Sequence, residues 1–195
     1  MVDWLYMDTV AGFVLAGGRS SRMGRDKALL EWDGAALLAR AARCVAEAAG
    51  TVTVVGDPQR YRQFGMPVVA DLRPGEGPLA GIEAALDSPY AAEWNLIVAC
   101  DMPNLDPALL ARLLAEARMH NPDCVTARTA RGIEPLCAVY RRSFLPVARQ
   151  ALDTGQRKVQ DAFVGLQVTH LWIDNEGAVT NVNTPDDWRA LAGGV

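Results

Sequence analysis

The sequence predicts an α/β fold, a single three-layer α/β/α domain whose sheet is mixed but mostly parallel. Short apolar runs rich in branched residues recur at residues 11–15, 52–55, 68–70 and 96–100, and helix-like stretches at 35–49, 58–64 and 79–86 fall between them. That alternation is the pattern of βαβ units and parallel pairing. The loops leaving three of these runs begin at Gly17, Asp71 and Asp101. Right-handed crossovers place such loops on one edge of the sheet, where α/β proteins bind their ligands.

The first run leads into a long glycine- and cation-rich loop, and an amphipathic helix follows Gly34. The second half is less regular. Residues 107–118 read as a helix with Asp106 as N-cap and Pro107 in its first turn. Residues 123–128 and 134–140 read as two strands joined through 129–132, a local antiparallel insertion. Residues 144–152 and 158–163 read as short helices around the turn at 153–155, 166–173 as a last strand, and 185–191 as a terminal helix. No linker, repeat or low-complexity segment interrupts the chain. Residues 1–9 read as a ragged lead-in without the basic region of a secretion signal, and 193–195 as a frayed tail.

Bulk properties fit one domain spanning residues 1–195. A chain of 195 residues buries roughly 70% of its unfolded surface, and a composition half apolar and 22% charged is ordinary for a globular protein. The net charge of −4 argues against nucleic acid as a partner, and no apolar run approaches the roughly 20 residues that span a bilayer. Cys44, Cys100, Cys124 and Cys137 are widely spaced and form no C-x-x-C pair. They read as core-packing thiols in a reducing compartment, the cytoplasm.

The chemistry lies in the loop Leu15-Ala16-Gly17-Gly18-Arg19-Ser20-Ser21-Arg22-Met23-Gly24-Arg25-Asp26-Lys27. Paired glycines let the backbone approach a ligand, and the freed N–H groups can form a concave anion site. Arg19, Arg22, Arg25 and Lys27 add cations, so the loop reads as the grip on a nucleoside triphosphate. It is neither a Walker A loop nor a G-x-G-x-x-G fingerprint. Asp101 ends a buried run, where the sheet would fix its carboxylate. A lone aspartate suits Mg²⁺, which takes one or two carboxylates, several waters and substrate phosphates. Lys27, a mobile point charge, suits the phosphates of a nucleoside triphosphate. His120 and His170, the chain's histidines, lie away from these segments.

The pattern L-A-G-G-x-x-S-R-M-G-x-D-K-A-L resembles the signature of the molybdenum cofactor guanylyltransferases. These belong to the nucleotidyltransferases of nucleotide-diphospho-sugar transferase-like, Rossmann-like architecture. Four further segments follow in the family's order: Gly77-Pro78-Leu79-Ala80-Gly81, Cys100-Asp101-Met102-Pro103, Gly155-Gln156-Arg157-Lys158-Val159 and Asn181-Val182-Asn183-Thr184-Pro185. The resemblance runs from about residue 11 to about residue 190.

The resemblance implies transfer of GMP from GTP to the terminal phosphate of molybdopterin, giving the guanine dinucleotide cofactor and pyrophosphate with Mg²⁺. It implies catalytic roles for Lys27, Asp101 and Arg22, with metal held by Asp101 and Asn183. Asn183 is read either as a ligand or phosphate contact or as a turn asparagine. Leu15, Ala16, Gly17, Gly18 and Gly24 would supply backbone around the nucleotide, and Gly77, Pro78, Leu79, Ala80 and Gly81 would pack under the base. Asp71 would accept from the N1–H and amino group of guanine, or contact the ribose. Arg157, with Lys158, would seat the phosphate of molybdopterin or form a solvated basic pair. Proteins that insert molybdenum, and chaperones of molybdoenzymes, are the partners implied for hand-over. CTP in place of GTP, a sugar or polyol phosphate as acceptor, and a non-catalytic carrier of nucleotide or finished cofactor are the alternatives.

Overall fold

The computed structural model describes residues 9–17 and 26–192. The lead-in 1–8, the tail 193–195 and the loop residues Gly18, Arg19, Arg22, Gly24 and Arg25 lie outside the described residues.

Strand β1 (Val10–Leu15) starts the sheet. After the 3₁₀ turn Lys27–Leu29 comes a two-strand hairpin, β2 (Glu31–Trp32) and β3 (Ala35–Ala36). Then follow helix α1 (Leu37–Ala49), strand β4 (Thr53–Val55), helix α2 (Pro58–Tyr61) and strand β5 (Val68–Val69). Helix α3 (Pro78–Asp87), strand β6 (Trp94–Ala99) and helix α4 (Pro107–His120) complete the first half. Strands β7 (Cys124–Thr129) and β8 (Gly132–Arg141), helix α5 (Leu145–Asp153), strand β9 (Val168–Trp172) and helix α6 (Pro185–Ala192) make the second.

The main sheet has seven strands in the order β5-β4-β1-β6-β8-β7-β9. Its pairings are parallel except for those of β8, which is antiparallel to both β6 and β7. Chain order reverses at β1: β4 lies on one side and β6 on the other. Strand order of this kind opens a crevice at the carboxyl ends of the two strands.

Alternation along the strands splits the core in two. Val14, Leu96, Val98 and Val139 face α1 and α4, where they meet Leu38, Val45, Leu110 and Leu113. Phe13, Ile97 and Tyr140 face α3 and α5, meeting Leu79, Ile82, Phe144 and Leu152. Burial on both faces explains why the central strands read as unbroken apolar runs. Asp106 caps α4 by accepting from the Ala108 N–H at 3.0 Å, and Asn121 ends it in the left-handed region at φ 50°. Cys100, Cys124 and Cys137 are buried free thiols and Cys44 is half-buried; burial pushes Cys137 up to about 12, as inert core thiols require. No helix among the described residues is long and apolar enough to cross a membrane.

Four expectations need correction. The antiparallel pair in the second half is not a local insertion: β8 bonds to β6, so the hairpin extends the main sheet and β9 closes its far edge. Helix α1 begins at Leu37 rather than residue 35, because Ala35 and Ala36 pair back onto Trp32 and Glu31. The turn between them, Asp33-Gly34, has φ of 50° and 76°, the two positive angles of a tight hairpin turn. The helical reading of 58–64 divides into α2 and a 3₁₀ turn at Arg62–Phe64, and that of 158–163 is the 3₁₀ segment Val159–Phe163. A further 3₁₀ turn, Glu176–Val179, was not anticipated.

Gly12 sets how closely α1 can lie on β1. A Cβ there would stand 2.3 Å from Val45 Cγ1 and 2.4 Å from the Thr51 carbonyl oxygen. The carbonyl is backbone and cannot swing aside, so Gly12→Ala is expected to cost about 1–3 kcal/mol through overpacking. A lowered urea midpoint with an unchanged m-value is the outcome that checks it.

Candidate active site

The site forms where β1 and β6 end together. Leu15 is the last residue of β1, and its carbonyl accepts from the Cys100 N–H at 3.1 Å. Gly17 is exposed just beyond β1, and Asp101 follows β6 at the same level. The Asp101 carbonyl accepts from Val182 N–H at 2.9 Å, which brings in the C-terminal segment.

Lys27 projects from the 3₁₀ turn that re-enters this crevice. Its Nζ donates to Asn183 Oδ1 at 2.8 Å and lies 3.7 Å from Asp101 Oδ2. These three side chains come from positions 27, 101 and 183, and the fold sets them side by side. Burial raises the Asp101 carboxyl above the usual carboxylate range, and Lys27 opposes that rise. Asp101 Oδ1 is buried and has no hydrogen-bond partner among the described residues. With the lysine on Oδ2, Oδ1 keeps its coordinating capacity unused.

Carboxylates hold the flanking loops. Asp26 Oδ1 accepts from Ala28 N–H at 3.1 Å, which fixes the turn carrying Lys27. Its Oδ2 accepts from the Tyr61 hydroxyl at 2.9 Å and lies 3.4 Å from Arg60 Nη1. Tyr61 is 2% exposed. Burial first, and then the Asp26 carboxylate, push its hydroxyl well above the usual phenol range, so it remains a donor. Gly56 admits this ring: a Cβ there would lie 2.6 Å from the ring and 2.1 Å from the Ala16 carbonyl. On the other side, Asp187 accepts from both Asn183 and Thr184 N–H groups at 2.8 Å, while its own N–H donates to Thr184 Oγ1 at 3.1 Å. That reciprocal capping box starts α6 and fixes Asn183. The two Asn183 and Thr184 N–H groups hold the Asp187 carboxyl below the usual carboxylate range.

The remaining predicted residues surround this center. Leu15 packs on Gly81, whose Cβ would stand 3.1 Å from Leu15 Cδ1. Gly77 enters α3 at φ 88° and Pro78 opens the helix. Ala16 is 1% exposed, and Leu79 and Ala80 are fully buried; side chains so placed belong to the core, so a ligand would meet these residues through their backbone. Asp71 lies after β5 and accepts from the Arg73 N–H at 2.9 Å. Arg73 bolts this loop down with two bonds to the buried Glu83, at 2.9 and 3.3 Å, and an ion pair to Asp153 at 2.7 Å. Arg157 lies beside the Gly77 loop, where it donates to the Leu152 and Gln156 carbonyls at 2.9 Å and pairs with Glu76 at 3.3 Å. Lys158 is exposed. Arg22, Gly18 and Gly24 cannot be placed, lying outside the described residues.

Tyr61, Asp187 and the Arg73–Glu83 pair are positioning groups that the motifs alone did not single out, and Asp26 is a fixed position of the first motif whose positioning role the structure supplies. The T-P-D-D run carried the capping-box signal for one of them; the others depend on tertiary contacts. Among the described residues no trio of His, Cys, Asp or Glu gathers into a ready-made metal cage. The single carboxylate present fits a cation that keeps waters and phosphates as its other ligands, and its orphaned Oδ1 gives such a cation a place.

A mostly parallel mixed sheet with its glycine-rich sequence after β1, and Lys27, Asp101 and Asn183 at the crevice, defines a nucleotidyltransferase of nucleotide-diphospho-sugar transferase-like fold. The chain belongs to the MobA-like NTP transferase domain family, whose model matches residues 12–168. A probable molybdenum cofactor guanylyltransferase from Synechococcus elongatus is 36% identical over 189 residues, covering 93% of this chain and 97% of that protein. A molybdenum cofactor guanylyltransferase from Pseudomonas putida is 34% identical over 178 residues, covering 89% and 92%. The crystal structure of molybdopterin-guanine dinucleotide biosynthesis protein A from Archaeoglobus fulgidus superposes with a TM-score of 0.77 at 27% identity, over 92% of this chain and 95% of that one.

Two outcomes follow from this geometry. A carboxyl whose folded pKa lies above its unfolded value costs stability once pH passes the unfolded value, near 4. Asp101→Asn, without added metal, is therefore expected to melt a few degrees above the native chain at pH 8, with the gap closing toward pH 4; thermal scans across that range check it. Tyr61→Phe removes a hydrogen bond to a carboxylate and is expected to cost about 1.5–3 kcal/mol, measured by urea unfolding.

Proposed function

We propose that the chain transfers GMP from GTP to the terminal phosphate of molybdopterin, releasing pyrophosphate, with Mg²⁺ held by Asp101 and Asn183. The observation that carries this reading is the convergence of Lys27, Asp101 and Asn183 at the carboxyl ends of β1 and β6, with Asp101 Oδ1 unpartnered among the described residues. The guanylyltransferase names of relatives matching along nearly the whole chain supply the substrates.

In this reading an oxygen of the acceptor phosphate bonds to the α-phosphorus as the bond to the β-phosphate oxygen breaks, and pyrophosphate leaves with the electron pair. No proton must be removed. His120 is paired with Glu116 at the end of α4, and His170 is bonded to Thr126 on the outer strands, so neither is required. Lys27 neutralises charge gathering on the leaving group, where its Nζ can exchange Asn183 for a phosphate oxygen. Asp101 and Asn183 would hold the cation, which when bound supplies further charge neutralisation on the phosphates. Gly17 would meet the triphosphate, and the motif positions Gly18, Arg22 and Gly24, outside the described residues, are assigned to it from the sequence. Leu15, Ala16 and Gly77, Pro78, Leu79, Ala80 and Gly81 shape the base pocket. Asp71, anchored through Arg73, reads guanine or the ribose, and Arg157 serves the acceptor side. Residues 1–195 form one domain acting in the cytoplasm.

Pyrophosphate release with Mg²⁺, molybdopterin and either GTP or CTP tests the reading. Release with GTP and not CTP is expected; release with CTP would keep the mechanism and move the chain to a cytidylyltransferase. Lys27→Ala is expected to lower kcat by about 10²–10³, the scale of one lost transition-state contact, with a smaller change in GTP affinity. An affinity loss with kcat intact would make Lys27 a ground-state anchor instead.

A further inference from the structure

Beyond Asn183 the crevice opens into a cleft of about 200 Å³ between the β7–β8 turn and the segment leading to α6. Thr129, Arg131 and Glu134 line it from the hairpin, and Glu176, Asn181 and Asn183 from the other side. None of the hairpin residues has a role in the nucleotide site.

A break in the sheet makes this space. Thr126 pairs with Ala138, yet the next residue, Ala127, pairs with Glu134, so residues 135–137 of β8 fall outside the β7 ladder. On the other side β8 leaves β6 after Cys137, opposite Val98. Pro135 has no N–H to offer a ladder, and its carbonyl is taken by the Tyr140 hydroxyl at 2.7 Å. Bulges of this kind re-aim side chains beside active sites. Here the bulge lets the strand carrying Glu134 separate from β6 just where Asp101 begins.

The lining presents more acceptors than free donors. Asn181 Oδ1 is buried without a hydrogen-bond partner among the described residues. Glu134 is half-buried, and burial raises its carboxyl, with Arg131 opposing and Asp101 adding to the rise. Thr129 is 2% exposed and its hydroxyl oxygen accepts from the Arg131 N–H at 3.2 Å. The Arg131 guanidinium is turned to Glu176 at 2.9 Å and forms an ion pair at the rim. A phosphate would meet two carboxylates here, whereas a ring with N–H donors would satisfy the oxygens. The volume suits a small fused ring better than a whole nucleotide.

We propose that this cleft seats the heterocycle of the acceptor, a fused pyrimidinone whose ring N–H and neighbouring amino group donate to the Glu134 carboxylate, which makes Glu134 a specificity-determining residue. Asn181 Oδ1 accepts a further donor, and Asn183 marks the point where the ring end of the acceptor gives way to its phosphate. The identity of that ring as a pterin rests on the guanylyltransferase reading. Guanine presents the same pair of donors, so the test must separate the two.

The test compares the native chain with Glu134→Gln and Glu134→Asp. Steady-state turnover is measured against molybdopterin and GTP, and binding of 6-hydroxymethylpterin and of guanosine is followed separately, the pterin by its fluorescence. Glu134→Gln should raise the acceptor KM and the pterin Kd by about tenfold or more, the loss of a bond to a charged acceptor. It should leave the GTP KM and guanosine binding within about twofold, and Glu134→Asp should restore part of the loss. An acceptor KM and pterin Kd unmoved by Glu134→Gln would overturn the proposal, and so would parallel loss of guanosine and pterin. If the native chain turns over no molybdopterin, the functional reading fails by itself; the pterin Kd of native chain against Glu134→Gln still decides the cleft.

Discussion

Strands β1 and β6 run side by side in unbroken parallel register from Val10 opposite Trp94 to Leu15 opposite Ala99, and the site depends on where that ladder stops. Because both strands end at one level, the loop after Leu15 and the carboxylate of Asp101 emerge together. The Leu15 carbonyl bonded to the Cys100 N–H locks the two exits, and the Asp101 carbonyl bonded to the Val182 N–H adds the third segment. Burial on both faces of these strands fixes the register, since a slip by one residue would exchange the Phe13 and Val14 faces. Backbone pairing thus turns a separation of 156 residues into the 2.8 Å contact of Lys27 and Asn183.

Loops around the crevice are held in a common way. Asp26 takes the N–H of Ala28, Asp57 that of Gln59, Asp71 that of Arg73, and Asp187 those of Asn183 and Thr184. Each carboxylate satisfies backbone donors that a turn leaves unpaired, which is why short acidic side chains punctuate these segments. Asp101 is the exception. It is half-buried, and its Oδ1, itself out of solvent, has no hydrogen-bond partner among the described residues. Asp101 alone among these aspartates turns to a lysine side chain instead of a turn N–H, and that difference is what the proposed ligand role is built on.

The parallel half of the fold was readable because strands buried on both faces are apolar without interruption, and the helices between them carry clear starts such as Asp106-Pro107. Partner choice was not readable. The pattern of 123–128 and 134–140 announced strands but could not say that β8 would bond to β6. Ala35 and Ala36 were absorbed into the following helix because alanine is a strong helix former, although Asp33-Gly34 carried a hairpin signal. In the site, Lys27, Asp101 and Asn183 were singled out from motif positions, and the structure sets them in contact. Leu79 and Ala80 were named with the base pocket, but their side chains lie in the core. Tyr61 and Glu83 act through contacts made only on folding, so no local spacing reveals them.

The electrostatics of the crevice follow from the same economy. Burial raises the Asp101 carboxyl, and the lysine that opposes the rise stands 3.7 Å away rather than in a close pair, while the nearer contact of Lys27 is the neutral Asn183. A tight, buried Lys–Asp pair would have to be broken before either group met a ligand, at the full cost of exposing an unpaired charge. With Asn183 as the close partner, Lys27 can exchange one neutral oxygen for a phosphate oxygen while Asp101 stays in place. The destabilisation that the raised carboxyl brings is carried by the two apolar cores on either side of the sheet.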